Sequence, residues 1–367
     1  MDRRIEWWSP VMGQREKQLI GEVIDSNFPN DGERTADFER RLAEICGVPY
    51  AVVVTSGTVA LFLGLVACGV EPGDEVIVPD ITFMASANAV KLAGATPVLV
   101  DVDPDSFCID PRRIESAITP CTKAIMPVHV SGRAADISTI LEIARKHGLR
   151  VVEDAAEALG SRTADGQLGS FGDVGCFSFT ANKTITTGQG GVAITRDAAI
   201  NQRLRELKDQ GRPVRGTGGA DLHVSVGYNF KFTDLQAAMG LAQLETLSTR
   251  RDHLRHVFCV YRELLDGNRR VRLPGFDIEA GACPQWVDVA VEGRDELHDY
   301  LLERGISTRK YWHPLHTQAP YRASDEGFPA SMKVSHSSLW LPTAFTLSDD
   351  DIQFVCGHIN DWARTTL

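Results

Sequence analysis

The sequence predicts an α/β protein with a smaller C-terminal α+β domain, and three observations carry that prediction. Between residues 49 and 197 short apolar runs alternate steadily with helical segments. Those runs lack the polar alternation of a half-exposed strand, so they are expected to be covered on both faces. Past Asp197 the alternation gives way to helices, and from about Arg270 to a mixed tail with proline-rich turns. A length of 367 residues suits one large domain plus a smaller one, and the division is expected at 1–245, N-terminal helices included, and 246–367.

In chain order, strands are expected at 50–54, 75–78, 97–100, 124–128 and 150–152, because each is short, apolar and rich in Val and Ile. Helices are expected between them at 58–68, 85–93, 111–117 and 136–147, the last opened by Asp136 and stopped by Gly148. Beyond lie a helix at 198–208 and one long helix over 233–265, carrying Leu235, Met239, Leu244 and Leu247, that would link the two domains. The tail is expected to hold a strand at 285–291 and helices at 294–304 and 348–363.

A formal net charge of −11 argues against holding nucleic acid or an anionic membrane through overall charge, while leaving room for a local basic pocket. The eight cysteines are scattered, with no C-x-x-C pair and no Cys/His spacing suited to a metal, so reduced thiols in a cytoplasmic protein are expected. The opening MDRRIEWWSP has no apolar core of a signal peptide behind its charges, and no run approaches a membrane span.

Three segments carry chemistry. Thr55-Ser56-Gly57-Thr58 follows a strand and opens a helix, which makes either an anion site at the positive end of the helix dipole or a plain N-cap. Glu153 and Asp154 stand at the end of an apolar strand, the edge where open α/β sheets place ligands. A carboxylate there wants a cationic partner, such as a protonated heterocycle or a metal, unless it merely caps the next helix. Lys183 lies in the loop Thr180-Ala181-Asn182-Lys183-Thr184-Ile185-Thr186-Thr187-Gly188-Gln189-Gly190-Gly191. It is either a surface lysine or an amine held in a cleft as a nucleophile for an aldehyde.

The ordered set TSGT, DITFMASANAV, PVHVSG, EDAAEALG, GDVGCFSFTANKTITTGQGG, VGYNFKFTDLQAAMGLAQLE and YWHPLH resembles the DegT/DnrJ/EryC1/StrS family of sugar aminotransferases, from about Trp8 to the last helix. That resemblance implies the pyridoxal 5′-phosphate (PLP)-dependent transferase fold type I, like that of aspartate aminotransferase, and a homodimer with shared active sites. It implies transfer of the amino group of L-glutamate to a nucleotide-linked 4-keto-6-deoxyhexose, with GDP-4-keto-6-deoxymannose ahead of dTDP-4-keto-6-deoxyglucose or a 3-keto sugar.

By position, the resemblance makes Lys183 the amine that joins the cofactor and shuttles protons, and Asp154 the partner of the pyridinium nitrogen. Glu157 stands where many relatives have Gln facing the cofactor's 3-oxygen, and a carboxylate beside a phenolate requires a shared proton. Phe83 would stack on the ring; Ser56, Gly57, Thr58 and Ser178 would hold the phosphate; Asn229 would reach it from the second subunit; His316 would lie near the sugar. His129 is expected to be a packed scaffold residue.

Thr180-Ala181, Gln189 and Lys231 depart from the family's usual residues, which bears on sugar and nucleotide specificity but leaves the amine chemistry in place. Lys183 argues against the dehydratases of this fold, which carry His there, and TSGT in place of G-x-G-x-x-G argues against a dinucleotide-binding dehydrogenase. A non-catalytic nucleotide-sugar binder is the remaining alternative.

Overall fold

The computed structural model describes residues 3–214 and 221–365. Among them a seven-stranded sheet runs in the order β1-β9-β8-β5-β4-β2-β3. Its strands are β1 (Tyr50–Val54), β2 (Glu75–Pro79), β3 (Thr96–Val100), β4 (Thr122–Ile125), β5 (Arg150–Asp154), β8 (Val174–Ser178) and β9 (Gly191–Thr195), with a small hairpin β6 (Arg162–Thr163) and β7 (Gly166–Gln167) inserted. Only β9 runs against its neighbours β1 and β8. The C-terminal ends of β1, β8, β5 and β2 therefore share one edge.

Successive side chains of β1 divide between two cores, as alternation across a strand requires. Ala51 and Val53 join Phe38, Phe177, Phe179 and Phe232 on one face, and Val52 and Val54 join Leu61, Leu63 and Val152 on the other. The first face is covered by α1 (Gln14–Asp25), α2 (Glu33–Cys46) and α8 (Asp234–Glu245); the second by α3 (Gly57–Ala67), α4 (Ala85–Leu92) and α7 (Ala198–Lys208). GTVALFLGLVA, apolar nearly all round, is α3, a largely buried helix with Thr58, Val59, Val66 and Ala67 partly exposed. The outer strands pack beside α5 (Pro111–Ile114) and α6 (Ile137–His147), whose Asp136 accepts from the amide of Thr139 as the N-cap.

Two expectations are corrected. The strand expected at 124–128 spans 122–125, because Pro127 has no amide to donate to a ladder. The single helix expected over 233–265 is two, α8 and α9 (Leu247–Leu264), parted at Thr246 with φ −107° and ψ 5°. The Thr246 hydroxyl donates to the Gln243 carbonyl at 3.1 Å, a local bond that competes with the helical ladder.

A second sheet, β10-β11-β13-β12, is built from β10 (Val271–Arg272), β11 (Val287–Val291), β12 (Arg309–Lys310) and β13 (Ser338–Leu341). α10 (Arg294–Leu302) and α12 (Asp349–Thr365), with α9, enclose a core around Val287, Leu339, Leu341 and Ile352, while α11 (Pro329–Ser337) turns Val334 toward the cluster around Trp286 and Trp340. The N-terminal segment lies along this C-terminal part. Ile5 exchanges backbone bonds with Gly305 and Ser307, and Thr343 donates to the Trp7 carbonyl. No described helix is long and apolar enough to cross a membrane.

Candidate active site

At the shared C-terminal edge of the large sheet a cavity of about 380 Å³ opens, within the usual range for small-molecule sites. It gathers Ser56, Gly57 and Thr58 after β1, Phe83 after β2, Asp154 and Glu157 after β5, Ser178 at the end of β8 and Lys183 in the loop beyond. These residues are spread over more than a hundred positions of chain, and parallel strands bring their following loops together.

The two acids at the end of β5 face opposite ways, as neighbours in a strand must. Glu153 is fully buried and points into the protein. Its Oε1 accepts from the amides of Phe171 (2.7 Å) and Gly172 (2.6 Å), and its Oε2 from Gly169 (2.9 Å) and from His129 Nε2 (2.8 Å). His129 Nδ1 accepts from the Ala135 amide at 3.2 Å, so the network assigns the proton to Nε2 and a neutral scaffold role to this histidine.

Asp154 points into the cavity. Its Oδ2 accepts from Ser86 Oγ at 2.7 Å and its Oδ1 from the Ala156 amide at 3.1 Å, yet no cation pairs with it among the described residues. Burial pushes the Asp154 carboxyl above the usual carboxylate range, the Ser86 hydroxyl, the Ala156 amide and the charge of Lys183 pulling the other way. A buried carboxylate held by two donors and without a direct ion pair among the described residues is what a protonated ring nitrogen would complete.

Ser56 Oγ accepts from the Val59 amide at 3.2 Å and caps α3, leaving the amides of Gly57 and Thr58 without an acceptor among the described residues. They stand at the positive end of an 11-residue helix. The turn fits closely against its neighbours. A Cβ on Gly57 would lie 2.8 Å from Ser178 Cβ, and one on Gly191 would lie 2.5 Å from the carbonyl of Ser56. This cradle, beside the bare carboxylate, fits a phosphorylated heterocycle.

Lys183 Nζ lies 3.2 Å from Glu157 Oε1, with side chains 13% and 8% exposed, and Glu157 Oε2 accepts from the Ser131 amide at 2.9 Å. Phe83, at the cavity wall, is 57% exposed, an apolar ring facing open space. The remaining two expected residues lie elsewhere. Asn229 is exposed and bridges to Asp209 through its backbone, away from its own chain's cavity. His316 is fully buried outside the lining, its Nδ1 2.7 Å from Asp80, its Nε2 3.2 Å from Asp325 and its ring stacked on Phe328. With both nitrogens engaged it braces the end of β2.

Sequence reasoning missed a wall of Trp7, Trp286, Trp312 and Trp340 and, on β12, Arg309. The Arg309 guanidinium sits 5.0 Å from the Trp7 ring centre and 5.5 Å from that of Trp340, with no ion pair among the described residues. No local pattern marks these residues, since they arrive from the N-terminal segment and the second sheet. The cysteines are all free, and burial pushes the Cys46, Cys68, Cys283 and Cys356 thiols up to about 12, which removes them as nucleophiles at neutral pH.

A mixed sheet with a lysine, a buried aspartate and a helix N-terminus converging at its C-terminal edge defines an amino-group transferase of the PLP-dependent fold type I. The chain belongs to the DegT/DnrJ/EryC1/StrS aminotransferase family, whose profile matches residues 10–360. It is 39% identical to the GDP-perosamine synthase of Caulobacter vibrioides over 97% of this chain and 98% of that protein. To the enzyme of the same name from Escherichia coli O157:H7 it is 36% identical over 97% of each. The crystal structure of S. venezuelae DesV superposes with a TM-score of 0.90 at 34% identity, covering 95% of this chain and 94% of that one.

Proposed function

We propose that the chain is a cytoplasmic, homodimeric, PLP-dependent aminotransferase that moves the amino group of L-glutamate to C4 of GDP-4-keto-6-deoxymannose, yielding GDP-perosamine. The observation that carries the reading is Lys183 and Asp154, which has no ion pair among the described residues, in one cavity beside the open amides of α3. Near full-length similarity to two GDP-perosamine synthases supports the choice of sugar.

In this reading Asp154 would pair with the ring nitrogen, Phe83 would lie against the ring, and Ser56, Gly57, Thr58 and Ser178 would hold the phosphate, with Asn229 of the partner subunit contributing. PLP, when bound, supplies an electron sink and a carrier for nitrogen. Lys183 would take the proton released from the donor's α-carbon in the first half-reaction and, in the second, deliver a proton to the sugar carbon receiving nitrogen. Glu157, fastened by Ser131, keeps the lysine's amine on station between those transfers. The tryptophan wall excludes water from the reacting atoms.

One site serves both substrates in turn, so initial-rate plots at several fixed concentrations of one substrate should be parallel. The test is the visible absorbance of purified protein with PLP. L-Glutamate alone should bleach the band, and subsequent GDP-4-keto-6-deoxymannose should restore it while dTDP-4-keto-6-deoxyglucose restores it poorly. No band, or one unchanged in Lys183→Ala, would overturn the cofactor assignment and favour a non-catalytic binder. Restoration by the dTDP sugar alone would overturn the substrate.

A further inference from the structure

The lysine-bound carboxylate of Glu157 is tied to the second sheet through one residue. Ser131 adopts a left-handed backbone with φ 56°, unusual for a residue with a side chain, and this turn aims its amide at Glu157 Oε2 at 2.9 Å. Its hydroxyl meets residues from two strands of the C-terminal sheet. It donates to Asp288 Oδ1 on β11 at 2.6 Å and accepts from Trp340 Nε1 on β13 at 3.1 Å. Asp288 is buried and its other oxygen accepts from Arg133 at 2.6 Å. Burial pushes the Asp288 carboxyl up, with Arg133 opposing that shift.

A buried carboxylate, serine and arginine are costly to assemble, and each group here is satisfied by another. The strained turn at Ser131 persists because three side chains over-determine it. We propose that Ser131 and Asp288 form a positioning pair that holds Glu157 on Lys183, so that the C-terminal sheet sets the availability of the transferring amine. The proposal rests on the reading of Lys183 as that amine. The charged groups around it are Asp154, Glu157 and Arg309 in the cavity, and the Asp288–Arg133 pair behind Ser131.

The test needs no cofactor. Cofactor-free protein is treated with a limiting acetylating reagent at a single mildly alkaline pH, and acetylation of each lysine is followed by peptide mass spectrometry. Lys208, 3% exposed and paired with Asp31 and Glu39, is the internal control for unfolding. Ser131→Gly keeps the left-handed turn and deletes only the hydroxyl tie; Asp288→Asn removes the charge behind it. Both should accelerate Lys183 about fivefold to tenfold relative to Lys208, as loss of a hydrogen bond worth about 1–1.4 kcal/mol predicts. Glu157→Gln should match or exceed that increase, and Ser131→Gly added to Glu157→Gln should add nothing further.

Unchanged Lys183 reactivity in Ser131→Gly overturns the proposal, as does a parallel rise at Lys208 or full additivity with Glu157→Gln. If Asp288→Asn does not fold, Ser131→Gly alone decides. Failure of the aminotransferase reading would show separately, as a missing PLP band in the wild type with acetylation kinetics unaffected.

Discussion

Replacing Glu153 by Gln exchanges one oxygen for an NH₂ group of nearly the same size, so the perturbation is electrostatic and not steric. Glu153 accepts four hydrogen bonds from donors within 2.9 Å, two to each oxygen. With the amide oxygen kept on Phe171 and Gly172, the new NH₂ faces the Gly169 amide and His129 Nε2–H, donor against donor. Turning the amide over moves the same conflict to Phe171 and Gly172. His129 cannot relieve it by moving its proton, because Nδ1 already accepts from Ala135. Two bonds to a charged acceptor are lost at about 1.5–3 kcal/mol each, which gives an expected loss of about 3–6 kcal/mol. Urea unfolding followed by circular dichroism measures it as a lower midpoint at an unchanged slope. A loss under about 1 kcal/mol would refute the assignment of four donors to this side chain.

The neighbouring Asp154→Asn change should behave in the opposite sense. Burial raises the folded-state pKa of Asp154, so the native state binds its proton more tightly than the unfolded chain, and stability falls as pH rises from the ordinary carboxylate value of about 3.9 through the raised one. Cofactor-free Asp154→Asn should therefore be at least as heat-stable as wild type at pH 7, with the difference vanishing below about pH 4, while PLP affinity drops about 10–100-fold by spectral titration. A lower Tm at pH 7 would count against it. Gly191→Ala places a Cβ 2.5 Å from the backbone of Ser56 and 2.6 Å from the Gly57 amide. It should cost about 1–3 kcal/mol in thermal unfolding and weaken PLP binding, because only backbone can give way there. Finally, mixing unfolded Lys183→Ala and Asn229→Ala chains and refolding them should recover about a quarter of native sites if each site draws on two subunits, since half the dimers are mixed and each has one intact site. No recovery above the separate variants would refute the shared site.

How much of this was legible in the sequence follows from the range over which each determinant acts. The strands starting near residues 50, 75, 96 and 150, the capped helix at Asp136, the helix after Ser56 and the loop around Lys183 were readable, because each depends on residues within a turn or two of chain. Glu153 and Asp154 illustrate the boundary. Adjacent acids at a strand end are visible as a pattern, and their opposite directions follow from the pleat, but which one meets the cavity depends on what packs on each face. The donors that claim Glu153 come from residues 169–172 and from His129, while the cavity side offers Asp154 only Ser86 and Ala156.

The break at Thr246 was hidden because apolar spacing continues smoothly through it and a single hydroxyl bond decides the matter. The placement of His316 against Asp80 and Phe328, away from the cavity, likewise depends on partners that sequence spacing does not reveal. By itself, the amino-acid order determined the α/β pattern and the presence of a capped turn, a strand-end aspartate and a lysine-bearing loop after a strand. Only the tertiary structure decided that Trp7, Arg309 and Trp340 wall the same cavity and that Asp288 reaches Lys183 through Ser131 and Glu157. Those contacts join segments from 26 to more than three hundred residues apart. Packing free energy, summed over the whole chain, selects them, and no local propensity encodes them.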